Sequence, residues 1–304
     1  MSSVPWLKQH PWELAGAPAG AVNRWREILV CTHEAIGKKH LSLLSAGLAM
    51  YALLAVFPGL AAVVFIYGLF ATPADVMQHM ALLATILPQG TWALFSGPLQ
   101  DIASDRGGSL SAGALLGVLL GLWGARSGMA ALISVTNWAY AGGHKRGLIR
   151  EAVLSVLFTV AAVAGFLLAL AIGVLAPALL RLLGTQPWQR LMIVAVQWAL
   201  LWATALAGVT VVYRWAPARA PDGWRAVIWG AGIAATLWLT ISVLFSVYVR
   251  SFADYSRTYG AVAAVVALLM WFYLSSFTIV LGAQINAEMD RLARQRRDLT
   301  VAAS

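Results

Sequence analysis

The stretch Leu41-Ser-Leu-Leu-Ser-Ala-Gly-Leu-Ala-Met50-Tyr51-Ala-Leu-Leu-Ala-Val-Phe-Pro58-Gly59-Leu-Ala-Ala-Val-Val-Phe-Ile-Tyr67-Gly-Leu-Phe-Ala-Thr72 decides the fold class. As one helix it would extend about 48 Å, well past a hydrocarbon core of about 30 Å. Its apolar run is continuous and not alternating, which favours a membrane helix over a barrel strand. Pro58-Gly59 interrupts it. Proline removes a backbone donor and clashes with the preceding turn, so a kinked or broken helix is expected.

Outward from this stretch, five further apolar runs cover residues 110–140, 152–180, 191–213, 226–249 and 261–284. Each exceeds the roughly 20 residues that cross a bilayer. Across the 304 residues, 61% are hydrophobic and 11% charged, against roughly a quarter charged in a soluble domain. So little polar surface cannot cover a water-soluble body of this size. The expected fold is an all-α, polytopic bundle of six transmembrane helices. Residues 1–40 form a cytoplasmic and interfacial segment, 41–288 the membrane domain and 289–304 a basic cytoplasmic tail. Residues 1–20 lack a compact apolar core before a small-residue cleavage site, so no cleaved signal peptide is expected.

The +9 net charge would suit nucleic acid, but no nucleic-acid motif accompanies it. Its distribution is that of a membrane protein. Lys8, Arg24, Arg26, Lys38 and Lys39 precede the first span; Lys145, Arg146 and Arg150 lie in the second connection, Arg214, Arg219 and Arg225 in the fourth. Arg291, Arg294, Arg296 and Arg297 follow the last span. The opposite connections hold only Arg106, Arg181, Arg190, Arg250 and Arg257. Fifteen against five places both termini inside. Arg126 falls within the second span, where its guanidinium can snorkel to the inner interface, leaving residues 130–140 to run along or below the membrane.

Two amphipathic patterns lie outside the spans. Val76, Met80, Leu83 and Leu87, then Trp92, Phe95, Leu99 and Ile102, recur at helical spacing and read as an outer lid over 73–108. Val22, Trp25, Leu29 and Ile36, with basic residues beside them, read as an interfacial helix.

Within the spans, Gly113, Gly117 and Gly121 stand four apart, followed by Gly124 and Gly128, a ridge that lets another backbone approach. Tight packing is the preferred reading of this ridge over a substrate path. In the last span Ser275, Thr278, Gly282 and Asn286 form a small, polar face that should look into the bundle, with Gln284 and Glu288 beside it. Tyr51 and Pro58 in the first span and Arg126 in the second complete the candidate bundle-facing set. At the outer end, Arg250 and Asp254 are four apart and can pair on a helix, leaving Arg257 to receive a carboxylate or phosphate beside Tyr255 and Tyr259. The plainer reading is an anchoring loop at headgroup depth.

Catalytic chemistry has no visible foothold. The five histidines are scattered, and none has a partner at metal-ligand spacing on an apolar face. The single cysteine, Cys31, excludes an internal disulfide. There is no phosphate-binding loop, nucleophile elbow or H-E-x-x-H. No metal and no cofactor are expected.

These segments resemble the YihY/virulence factor BrkB family of bacterial inner-membrane proteins, from about Leu41 to Asp290. The resemblance rests on Leu48-Ala-Met-Tyr-Ala-Leu-Leu-Ala-Val-Phe-Pro58, Leu122-Trp-Gly-Ala, Asn137 to Tyr140, Tyr255-Ser-Arg-Thr-Tyr-Gly260, Leu269-Met-Trp-Phe-Tyr273 and Leu281-Gly-Ala-Gln-Ile-Asn-Ala-Glu288. It implies a six-helix bundle of the bacterial inner membrane. Some members carry a ribonuclease BN label, which no nuclease-type metal site here supports. Members commonly read Gly-Ala-Glu where this chain has Gln284, so a carboxylate that carries protons or cations in relatives would be missing. Glu288, one turn on, can replace it only if it faces the cavity.

The expected function is that of a carrier or flippase for an amphiphilic or anionic molecule, lipid or small solute. The alternative is a non-transporting scaffold for an envelope-assembly or lipid-handling partner. An intramembrane enzyme ranks third, for want of a nucleophile–base pair.

Overall fold

The computed structural model describes residues 21–70, 112–141, 147–182, 186–218, 223–251 and 253–303, and every element among them is an α-helix. We label them α1 (Ala21–Lys38), α2 (Leu41–Phe70), α3 (Ala112–Ala141), α4 (Leu148–Leu182), α5 (Pro187–Trp215), α6 (Trp224–Ser251) and α7 (Ala253–Ala303). The segments Ile149–Gly173, Pro187–Trp215, Val227–Val249 and Val265–Gln295 are each long and apolar enough to cross a membrane. The expected outer lid lies outside the described residues.

Each helix packs on its neighbour in sequence from α2 to α6, α6 packs on α7, and α7 returns to α2, closing a ring. α7 also touches α3 across the ring, and α1 lies against α7 and α2. The outward faces are apolar: Val153, Leu157, Val160 and Phe166 on α4 and Leu191, Met192 and Val196 on α5 are all exposed. At about 25 cal/mol per Å² such surface is not left in water. Lipid is its solvent, and the chain is a multi-helix membrane protein.

Tight packing among the described residues gathers at one end of the ring. Ala139, Val227, Ala231, Ala234 and Ala283 interlock there around Tyr213 of α5, small side chains that bring α3, α6 and α7 close. Beside them Ile28 of α1 seats against Ile285 and Leu292 of α7. Leu41 and Leu48 of α2 meet Val280.

α2 is a single helix of 30 residues running through Pro58, so of the kink or break expected there the break is absent. Proline removes one donor, and the hydrogen bonds on either side carry the helix past it. α3 likewise continues to Ala141 as one helix of 30 residues, so residues 130–140 carry straight on from Arg126 without a bend along the surface, as the expected course below the membrane allows. The stretch expected as last span and the stretch expected as basic tail lie on one helix, α7, of 51 residues, about 76 Å of rod.

The glycine ridge is described at its later positions. A Cβ on Gly124 would come 3.2 Å from the Ala55 Cα, and one on Gly128 would lie 3.9 Å from the Tyr51 carbonyl, so α2 is the helix that approaches. The surroundings of Gly113, Gly117 and Gly121 lie outside the described residues.

Candidate functional site at the closed end

The sharp turn between α1 and α2 starts the site. His40 adopts φ 50°, the left-handed conformation that ends a helix, while its carbonyl already accepts from Leu44 N at 3.1 Å. That geometry turns Lys39 inward. Its Nζ donates to the Ala139 carbonyl at 3.1 Å and to Gln284 Oε1 at 2.9 Å. Ala139 lies in the last turn of α3, whose carbonyls have no partner within the helix and favour a cation. One lysine therefore ties the α1–α2 turn to α3 and α7.

Gln284 passes the connection on. Fully buried, it donates from Nε2 to Glu288 Oε1 at 2.8 Å. Glu288 Oε2 pairs with Arg291 Nε at 2.8 Å, and Arg291 reaches Cys31 Sγ on α1 at 3.5 Å. Burial, then Glu288 nearby, raises the Cys31 thiol above its ordinary value, so it stays protonated. A neutral amide thus separates a cation on the α1–α2 turn from a carboxylate on α7. Further along α7, Asp290 pairs with Arg294 at 2.8 Å.

Burial lowers the Lys39 ammonium from its ordinary value, outweighing the attraction of Glu288. The unfolded chain therefore binds more protons than the folded one between the lowered value and 10.5. Stability contributed at this position should rise as pH climbs through that window towards 10.5, and the penalty is fully present below it. Melting curves in detergent, compared between the parent and Lys39→Met, isolate the effect: the parent should gain on the variant as pH rises. Parallel curves would place Lys39 in solvent.

Asn286, fully buried, forks onto the α6 backbone: Oδ1 accepts from Gly230 N at 2.9 Å and Nδ2 donates to the Val227 carbonyl at 3.1 Å. Gly230 has no room for a Cβ, which would overlap the Asn286 carboxamide. Gly282 is equally confined, between the Tyr213 hydroxyl, Ala234 and the Gly230 carbonyl. Tyr213, fully buried, donates to the Ile279 carbonyl. Asn137 Oδ1 accepts from Ala218 N at 2.8 Å, fixing the α5–α6 connection to α3.

Of the residues expected to face the bundle, Thr278, Gly282, Gln284, Asn286 and Glu288 are buried together on α7. Ser275 accepts from Trp238 Nε1 at 3.1 Å. Tyr51 and Arg126 are exposed, so both side chains point away from this set. The side-chain surroundings of Pro58 lie outside the described residues, as do those of Arg250, Asp254, Tyr255, Arg257 and Tyr259. The backbone assigns Arg250 to α6 and Asp254 to α7, so spacing along one helix does not set their separation. Sequence reasoning had used Lys39 only for its charge, and missed Tyr213, Gly230 and Asn137. A carboxamide inside a long apolar run, between Thr136 and Trp138, was the available signal for the last.

The chain is 31% identical over 247 residues to YfkH of Bacillus subtilis, a protein named as ribonuclease-like, covering 80% of this chain and 88% of that one. A UPF0761 membrane protein of Idiomarina loihiensis is 31% identical over 101 residues, 33% of this chain and 35% of its own length. One from Azotobacter vinelandii is 36% identical over 99 residues, 33% of this chain and 24% of its own. The chain thus spans most of YfkH, and about a third or less of these UPF0761 relatives. No solved structure matches it. The family model described as virulence factor BrkB matches residues 32–303, a range that takes in every helix of the ring and the whole polar chain from Lys39 to Arg291, and the protein therefore belongs to the virulence factor BrkB family of membrane proteins.

Proposed function

We propose that the protein is a carrier of the bacterial inner membrane, crossing it six times through α2 to α7 with both termini cytoplasmic, and that it moves an amphiphilic or anionic molecule. The observation that supports this reading is the chain Lys39–Gln284–Glu288. Ionisable groups inside a membrane bundle are costly and are kept at substrate and ion pathways. A lysine that reaches a carboxylate only through a neutral amide makes a tie weaker than a direct ion pair. Such a tie can close one end of a carrier and still be undone. At the opposite end Arg257, with Arg250, Asp254, Tyr255 and Tyr259, is the proposed receiver of the anionic group.

Orientation is tested first. Reporter fusions after residues 106, 146 and 219 and at the C-terminus should read out, in, in and in. An exported C-terminus would invert the assignment of the two ends.

Carriage is tested in vesicles holding the purified protein, with two probes: a headgroup-labelled fluorescent phospholipid and an entrapped anionic dye. One of them should cross faster than in protein-free vesicles. Lys39→Met should change that rate several-fold. Arg257→Gln should slow it, more at low salt than at high, because an exposed charge contact is screened. Rates equal to protein-free vesicles for both probes would favour the second reading, a scaffold docking an envelope-assembly or lipid-handling partner. The length of α7 beyond the bilayer supports that alternative.

A further inference from the structure

We propose that the outward face of α1, carrying Arg26, Leu29, Val30 and His33, is seated in the headgroup layer of the leaflet on its side of the bilayer, with phospholipid as its partner. The proposal is independent of any transport activity. α1 has two faces at helical spacing. Ile28, Thr32 and Ala35 are buried, with Ile28 against Ile285 and Leu292 of α7. Opposite them Arg26, Leu29, Val30, His33 and Gly37 are exposed, Leu29 by 58% and Val30 by 45%.

That outward face suits neither pure solvent. Two neighbouring aliphatic side chains are unfavourable in water, and Arg26 is unfavourable among acyl tails. A layer that is apolar on one side and charged on the other satisfies both, with the guanidinium on lipid phosphate.

Tryptophans fix the depth independently. Trp25 of α1 lies edge-on to Trp229 of α6, ring centroids 6.1 Å apart. Trp229, Trp224 and Trp215 are exposed by 59%, 51% and 48%, all near the same end of the ring. The Arg214 guanidinium sits 5.2 Å from the Trp224 ring centroid. Exposed tryptophans gathered with arginine at one end of a bundle mark the membrane–water interface. Contact between Trp25 and Trp229 puts the start of α1 at that level. A second protein copy is a poorer occupant. Two aliphatic side chains are far short of the roughly 800 Å² per partner that a stable interface buries.

The test places a nitroxide at residue 29, 30 or 33, one at a time, through cysteine in a Cys31→Ser background. The full chain is reconstituted in phosphatidylcholine vesicles with and without phosphatidylglycerol. Labels at 29 and 30 should collide more with oxygen and less with a water-soluble nickel chelate than a label at exposed Asp298. Adding Arg26→Gln should raise nickel collisions at both. A photo-crosslinking side chain at Leu29, with Cys31 intact, should yield phospholipid adducts, which covers the case in which the cysteine background does not fold. Nickel collisions at 29 and 30 equal to those at 298, dipolar broadening between labels on two copies, or crosslinks to protein alone would each overturn the proposal.

Discussion

Replacing Gly282 with valine should leave essentially no folded protein in detergent, and Gly282→Ala should already melt well below the parent. A Cβ at this position would lie 2.5 Å from the Tyr213 hydroxyl, 2.7 Å from the Ala234 Cβ and 2.9 Å from the Gly230 carbonyl. None of the three can yield easily. Tyr213 is pinned by its bond to the Ile279 carbonyl, Ala234 is a short side chain on a packed helix, and the third contact is backbone. Overpacking a dense core costs about 1–3 kcal/mol, and more where backbones must part. Here α5 and α6 would both have to move from α7, against a total stability of about 5–15 kcal/mol. Gly208→Ala is the matched control, since a Cβ there meets nothing within 4 Å. Monodisperse yield by size-exclusion of a fluorescent fusion reads the outcome. A normal profile for Gly282→Val would mean that α5, α6 and α7 do not meet as described.

Asn286→Leu should have the next largest effect, a loss of about 2–4 kcal/mol. The leucine fills nearly the same volume, so the cost is polar. Asn286 gives up two hydrogen bonds, and Gly230 N and the Val227 carbonyl lose a partner in a place water does not reach. Gly230→Ala should be as damaging by the opposite route, because its Cβ overlaps the Asn286 carboxamide. Pairing Gly230→Ala with Asn286→Ala should therefore recover part of the loss, a non-additivity expected only of direct neighbours. Melting temperatures of the three variants measure it. Additive losses would remove the Asn286 fork from the account.

The helical membrane character was legible because it depends on continuous apolar runs, and these survive any detail of packing. The inward aim of Thr278, Gly282 and Asn286 was legible for a related reason: polar and small groups gain nothing from lipid tails. Lys39 was not legible. It sits beside Lys38 in a basic cluster, and only the left-handed His40 turn separates a lysine that pairs with Glu34 on its own helix from one that crosses to Gln284. Tyr213 and Gly230 are silent for a different reason. Each is defined by a partner on another helix, and no periodicity within one segment announces that. At Pro58 the helix does not break, because the neighbouring hydrogen bonds are enough to continue it.

The position of α7 has a consequence for how the chain is made. It leaves the ribosome after α1 to α6, and it is the one that touches α1, α2, α3 and α6. Until it arrives, Lys39 lacks Gln284 and the Gly230 amide lacks Asn286. The earlier helices must therefore wait in the bilayer as an unsealed set, with polar groups turned to one another or to water. Synthesis halted before residue 284 would leave a product that is inserted but not assembled, the kind of species that membrane quality control removes. The ring closes only when α7 arrives.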